Sequence, residues 1–202
     1  MNNYIFLFDL DSTITKEEIL PKLAIKLGKE QKMRELTEKT MLGEIPFKES
    51  FLQRVDILKN IPVSTVQDII ENIQLNEIIV KFIKENKDRC YIVTGNLDIW
   101  IEKLLKKIGM ENNCFCSKAV SCNDYLSSVI SVIDKALICE QFIHRYVAIG
   151  DGNNDAEMVK KANIGIGYGG VRPIAFSLLA NADYAFYSEE KLYEFLNILK
   201  NR

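Results

Sequence analysis

A single histidine, His144, stands in this chain of 202 residues. Zinc sites are usually built from paired cysteines or histidines at short spacing. Here the clustered thiols Cys114, Cys116 and Cys122 have no such pairing, and His144 lies well beyond them. With Cys90 and Cys139 they are expected to be free thiols of a reducing compartment. No apolar run approaches the ~20 residues of a membrane span. The apolar stretch from Tyr4 is broken at Asp9 and has no basic leader, so neither a signal peptide nor a membrane partner is expected. No charge of either sign dominates, with 26 Lys and Arg against 28 Asp and Glu. That balance leaves no electrostatic footprint for nucleic acid. A small anion met by a local cluster of positive groups remains compatible with it. The expectation is a cytoplasmic protein, monomeric or homodimeric.

What is present is enough apolar sequence, 48%, for one core or a core with a small insert. Residues 2–8 read as a strand, because the run from Tyr4 to Phe8 is continuously apolar and aromatic-rich, as in a parallel strand buried on both faces. Apolar spacing then predicts helices over 16–28, 29–41, 47–58 and 64–72, with Gly28 and Gly43 as stops and Ser64 as a cap. A β/α pattern resumes with a helix over 76–86, a strand over 90–94 and a helix over 98–108 closed by Gly109. The segment 115–133 is ambiguous, with short strands around Asn123 and Asp124. A short helix over 134–142, a strand over 146–150 and a helix over 156–161 follow. Strands over 163–167 and 182–187 and a helix over 191–200 complete the pattern.

Strands alternating with helices imply a Rossmann-like α/β fold, a parallel sheet with helices on both faces. A crossover unit takes about 30 residues, and the stretch between Thr13 and the next strong strand is far longer. The surplus reads as an all-helical cap inserted after the first strand. The expected division is a core of residues 1–14 and 75–202 with a cap of residues 15–74. In such folds ligands bind at the carboxyl ends of the strands.

Three strands end in polar clusters: Asp9 and Asp11, Thr94 and Gly95, Asp151 and Asp155. Four carboxylates on one rim repel one another unless a hard divalent cation joins them, and Mg²⁺ suits carboxylates together with phosphate oxygens. A helix returns Lys135 to the same rim. Carboxylates, a cation, a hydroxyl, a backbone N–H and a lysine together suit a phosphoryl group. Read singly, each cluster is equally well a set of turn residues after a strand.

Asp9-Leu-Asp-Ser-Thr13, Thr94-Gly95, Lys135 and Gly150-Asp-Gly-Asn-Asn-Asp155 resemble the four ordered motifs of the haloacid dehalogenase superfamily and span most of the chain. The resemblance implies a Mg²⁺-dependent phosphatase acting on a small phosphorylated metabolite. It makes Asp9 the nucleophile and Asp11 the proton donor and acceptor. Thr94, Gly95 and Lys135 become the phosphate contacts. Asp9, Asp151, Asp155 and the Asp11 backbone carbonyl become the metal environment, and Asn154 joins Asp155 around Lys135 and the substrate. The inserted segment resembles the phosphoserine phosphatase subgroup. On that resemblance Arg54 takes the substrate carboxylate and Glu18 its ammonium, while Met41 and Phe47 form an apolar wall. An enzyme of serine biosynthesis is implied.

Two features depart from that subgroup. Asn96 stands where its pattern has a second glycine, after Thr94-Gly95 rather than Ser-Gly, and the segment from Lys135 to Asp151 is short. Other readings therefore stay open: a phosphosugar or other small ester as substrate, a mutase or phosphotransferase, and a binding module without turnover. Glu18 and Arg54 on a solvated helix face, with Met41 and Phe47 as plain core, is the ordinary alternative for the cap residues.

Overall fold

The computed structural model describes residues 4–142 and 145–201, the Met41 side chain excepted. Asn2, Asn3, His144 and the Met41 side chain lie outside the described residues. Seven strands form one sheet: β1 (Ile5–Phe8), β2 (Cys90–Leu97), β3 (Cys114–Cys122), β4 (Tyr125–Ser131), β5 (Tyr146–Gly150), β6 (Ile164–Tyr168) and β7 (Tyr184–Phe186). Their order is β4-β3-β2-β1-β5-β6-β7, parallel except for the antiparallel β3–β4 pair. β1 is therefore central. Phe6 and Phe8 pack into one apolar cluster and Leu7 into the other, the period-two alternation of a strand covered on both faces.

Ten α-helices lie among the described residues: α1 (Ile19–Ile25), α2 (Glu30–Met41), α3 (Phe47–Leu58), α4 (Val63–Glu71), α5 (Glu77–Glu85), α6 (Asp98–Ile108), α7 (Lys135–Cys139), α8 (Ala156–Lys161), α9 (Phe176–Leu179) and α10 (Glu189–Lys200). Apolar residues of α5, α6 and α10 cover the Phe6 face, and those of α8 and α9 cover the Leu7 face. The four helices between β1 and α5 carry Ile19, Leu23, Met33, Phe51, Val55 and Val66 into the Phe6 cluster. Their apolar interior is thus continuous with one face of the sheet. None of the described helices is long and apolar enough to cross a membrane, and all five cysteines are free.

The α/β architecture agrees with the sequence reading; two helix starts need correction and one ambiguous segment is resolved. The first inserted helix begins at Ile19, not Lys16, because Thr15 bridges to Leu75 and the Lys16 N–H donates to the Gln74 carbonyl at 2.8 Å. The ambiguous 115–133 segment is a two-stranded hairpin whose turn residues Asn123 and Asp124 have φ of 50° and 67°, as a primed two-residue turn requires. Ser64 does not cap the helix it was expected to start. That helix begins at Val63, and Asp124 from the hairpin tip accepts from the Ser64 N–H at 2.9 Å and its hydroxyl at 2.6 Å. A distant chain segment supplies the acceptor, which local sequence cannot show.

Trp100 on α6 is 1% exposed, and its indole Nε1 has no hydrogen-bond partner. Trp100→Ala is expected to lower stability by about 3–5 kcal/mol, read from urea unfolding. Trp100→Phe should lose less, because it keeps a ring in place and removes a buried donor that nothing satisfies. Equal losses in the two variants would contradict this packing account.

Candidate active site

The chain runs outward from β1 through β2 and β3 to β4, then returns through α7 to β5 on the other side of β1, so the strand order reverses between β1 and β5 and their carboxyl ends form the switch point of the sheet. Asp9 follows β1 directly and Asp151 follows β5 directly. Parallel pairing of Phe8 with Ile149 brings these carboxylates to the same level of the rim. Lys135 is the first residue of α7, whose N-terminus is capped by Asp134 accepting from the Ala136 N–H at 2.9 Å. Its ammonium donates to Asp9 Oδ1 and, at 2.6 Å, to Asp155 Oδ1. The other Asp155 oxygen accepts from the N–H groups of Asp151, at 3.2 Å, and Gly152, at 3.0 Å. Asp155 folds back over the end of β5 only because Gly150 has no Cβ, which would meet the Asp155 carboxyl carbon at 2.6 Å.

Asp9, Asp151 and Asp155 are buried, and their oxygens lie within 4.8 Å of one another. Burial pushes the Asp9 carboxyl up to about 7, helped by the Asp155 charge and opposed by Lys135. Burial first, and then the charge of Asp9, raises Asp151 well above the usual carboxylate range. Burial would pull Lys135 down, but Asp155 and Asp9 together hold it above an ordinary lysine. The Lys135 ammonium and the Arg172 guanidinium, which pairs with Asp151, are two cations against three adjacent carboxylates. Asp151 Oδ1 is also buried without a partner. An uncompensated acidic cluster with an orphaned oxygen fits a hard divalent cation, so these residues are able to hold one.

Beside the cluster lies a cavity between the rim and the inserted helices. Asp9, Asp11, Glu18, Phe47, Arg54, Gly95 and Asn154 all line it. Of the predicted residues, Thr94, Lys135, Asp151 and Asp155 are buried but do not line it. The Asp11 carboxyl is raised by burial, against the Ile19 N–H that donates to its Oδ1 at 2.9 Å. Arg54 is 5% exposed and contacts the Ser50 carbonyl at 3.4 Å and Thr37 Oγ1 at 3.3 Å. Among the described residues no carboxylate lies within ion-pair distance of it. Burial pulls its pKa down to about 10, against the attraction of Asp11. Phe47 stacks on Phe51 at 5.7 Å and leans against Gly95, leaving no room for a Cβ there.

Two site residues escaped the sequence reading. Arg172 lines the cavity and forms ion pairs with Asp151 and with Glu18, so a guanidinium joins the sheet rim to the first inserted helix. Its signal was its place just after Gly169 and Gly170, beyond the carboxyl end of β6. Asn153 is the second: its amide donates to the Thr40 carbonyl of α2 at 2.8 Å, a further link between rim and insert. Asn96, noted only as a departure, lines the cavity and donates to Asp11 Oδ2.

Residues 5–163 match the haloacid dehalogenase-like hydrolase family. The phosphoserine phosphatase of Methanocaldococcus jannaschii is 31% identical over 178 residues, covering 81% of this chain and 84% of that protein. The phosphoserine phosphatase of Archaeoglobus fulgidus is 30% identical over 97% of this chain, which spans 60% of that protein's length. A solved phosphoserine phosphatase carrying a phospho-aspartyl intermediate analogue superposes with a TM-score of 0.81 and 28% identity, covering 96% of this chain and 99% of that one. The chain belongs to the haloacid dehalogenase-like hydrolases, as a phosphatase of phosphoserine phosphatase-like type.

The raised carboxyls set a pH dependence. A carboxyl whose folded pKa lies above its unfolded value binds more protons folded than unfolded, so stability falls as pH rises between the two. For Asp9 that window runs from 3.8 to about 7. In chelator-treated protein the melting temperature is expected to fall from about pH 4 to about pH 7. Added Mg²⁺ should flatten that fall by favouring the ionised carboxylates, and a melting temperature that rises over the window without metal would refute this. Gly95→Ala should displace Phe47 and lower kcat/KM much more than stability. Combining it with Phe47→Ala should restore part of the lost activity, and a double variant no better than Gly95→Ala would argue against the contact.

Proposed function

We propose that the chain hydrolyses O-phosphoserine to serine and phosphate with Mg²⁺, through a phosphorylated Asp9, as a cytoplasmic step of serine biosynthesis. The observation that carries the substrate reading is Arg54. A buried guanidinium without a carboxylate partner is costly unless a ligand brings the anion, and this one faces the cavity that holds Asp9 and Asp11. The similarity to named phosphoserine phosphatases supports the same reading. In it residues 15–74 are a cap over a core of residues 1–14 and 75–202, and cap closure excludes water from the first step.

Asp9 attacks phosphorus while the P–O bond to the leaving alkoxide breaks, which splits one difficult displacement into two. Asp11 gives its proton to the leaving oxygen and later takes one from the water that attacks the aspartyl phosphate. A raised Asp11 pKa suits the first duty, because the carboxyl then holds a proton to give. Thr94 and the Gly95 N–H hold phosphoryl oxygens, and Lys135 balances the charge of Asp9 and the transferring group. Thr94 Oγ1 accepts from the Asn96 N–H and amide, each at 3.2 Å, which leaves its own proton for a phosphate oxygen. Asp9, Asp151, Asp155 and the Asp11 carbonyl would hold Mg²⁺, whose contribution is to neutralise charge on the phosphoryl oxygens. Arg54 takes the substrate carboxylate in a bidentate contact, while Glu18 takes the ammonium after parting from Arg172. Phe47 walls the site, and Asn154 adds a polar contact near Asp155; Met41, expected beside Phe47, has its side chain outside the described residues.

The test is phosphate release with Mg²⁺ from O-phosphoserine, phosphothreonine, phosphosugars and phosphocholine, beside Asp9→Asn. Preference for O-phosphoserine, abolished in Asp9→Asn, is expected. Arg54→Ala should lower kcat/KM for O-phosphoserine by the equivalent of about 2–5 kcal/mol. An unchanged value would remove the carboxylate-binding role. Because Asn96 sits in the cavity, a different small phosphomonoester is the second reading, and preference for another member of the panel would establish it.

A further inference from the structure

Asn96 sits near the end of β2, is 3% exposed and lines the same cavity as Asp9 and Asp11. Its side-chain nitrogen donates to Asp11 Oδ2 and contacts Thr94 Oγ1 at 3.2 Å. Its side-chain oxygen is buried and has no partner. The amide nitrogen faces Oδ2, which accepts when the carboxyl is ionised and, through its remaining lone pair, also when it carries a proton. The result is a carboxyl held at both oxygens, from the core by Asn96 and from the first inserted helix by the Ile19 N–H at 2.9 Å.

An asparagine at this place is a poor packing choice. It leaves an unsatisfied acceptor in the interior, where an apolar or smaller side chain would leave none. What it supplies in return is the one side-chain hydrogen bond that Asp11 receives from the sheet among the described residues. Proton transfer to a leaving oxygen depends on donor placement, and a shift of about 1 Å can change a rate on the order of 10²-fold.

We infer that Asn96 is the positioning residue for the Asp11 carboxyl, holding Oδ2 where it protonates the leaving oxygen of an alkyl phosphate. The inference rests on the phosphatase mechanism proposed for Asp9 and Asp11. In the first half-reaction the Asp9 carboxylate forms its bond to phosphorus as the P–O(alkyl) bond breaks, and the Asp11 proton goes to the departing oxygen. A leaving group stable as an anion, such as p-nitrophenolate or acetate, departs with its electron pair and needs no proton. Asn96 therefore matters for alkyl esters and much less for activated ones. A side chain that only packed the cavity would affect both classes together.

The experiment compares kcat/KM for O-phosphoserine and β-glycerophosphate with kcat/KM for p-nitrophenyl phosphate and acetyl phosphate. The quantity kcat/KM reports the phosphoryl transfer to Asp9 and not the later hydrolysis. Wild type, Asn96→Ala and Asn96→Leu are measured, the leucine preserving volume while removing the donor. The ratio of alkyl to activated ester is taken within each preparation, so a partly unfolded variant does not distort it. The expected result is a fall in that ratio on the order of 10²-fold in both variants. An unchanged ratio, whether both classes fall together or neither does, overturns the positioning role while leaving the phosphatase reading intact. Release that survives Asp9→Asn in every substrate overturns both.

Discussion

Everything at this rim depends on placing more negative charge in a buried space than the local cations offset. β1 and β5 are neighbours in parallel register, so Asp9 and Asp151 emerge side by side. Asp155 then folds back over a glycine to accept from the Asp151 N–H. Lys135 binds two of the three carboxylates and Arg172 binds the third, yet Asp151 keeps one oxygen without a partner. Such a cluster raises its own pKa values and weakens the fold as they ionise. It is retained at the place where a cation and a phosphoryl group would relieve it, which ties the stability of the rim to the chemistry proposed for it.

The inserted helices are bound to that rim by a few polar links as well as by a shared apolar interior. The Ile19 N–H reaches Asp11, Glu18 reaches Arg172, Thr40 accepts from Asn153, and Phe47 rests on Gly95. Each link joins a cavity-lining or rim residue to the insert, so any movement of the insert changes the surroundings of Asp11 directly. Arg54 stands apart from these links. It is buried from the insert side and pairs with no described carboxylate. The polar links hold the cavity together, and Arg54 supplies its unmatched positive charge.

Much of this was legible from residue order, because it follows from local rules. A strand buried on both faces is a continuous apolar run, and β1 reads as one. Helices over the insert follow from apolar spacing, and the acidic clusters sit where strands end. The motif resemblance pointed to the same residues that the structure gathers at one rim. The β3–β4 hairpin was ambiguous because it is largely exposed and lacks a strong apolar pattern. Arg172 and Asn153 went unassigned because their partners, Glu18 and Thr40, are more than a hundred residues away in the chain.

The sequence by itself determined the α/β class, the helical insert, and the identity of the residues that carry charge at the strand ends. Those depend on periodicity, turn chemistry and motif order, which are properties of neighbours along the chain. Only the tertiary structure decided that Asp124 caps α4, that Arg54 is buried without a counter-ion, and that Asn96 grips Asp11. These facts arise from segments 60 or more residues apart in two of the cases, and in all of them from burial. Burial and long-range pairing set the strength of a charge or a hydrogen bond, and no local pattern encodes either.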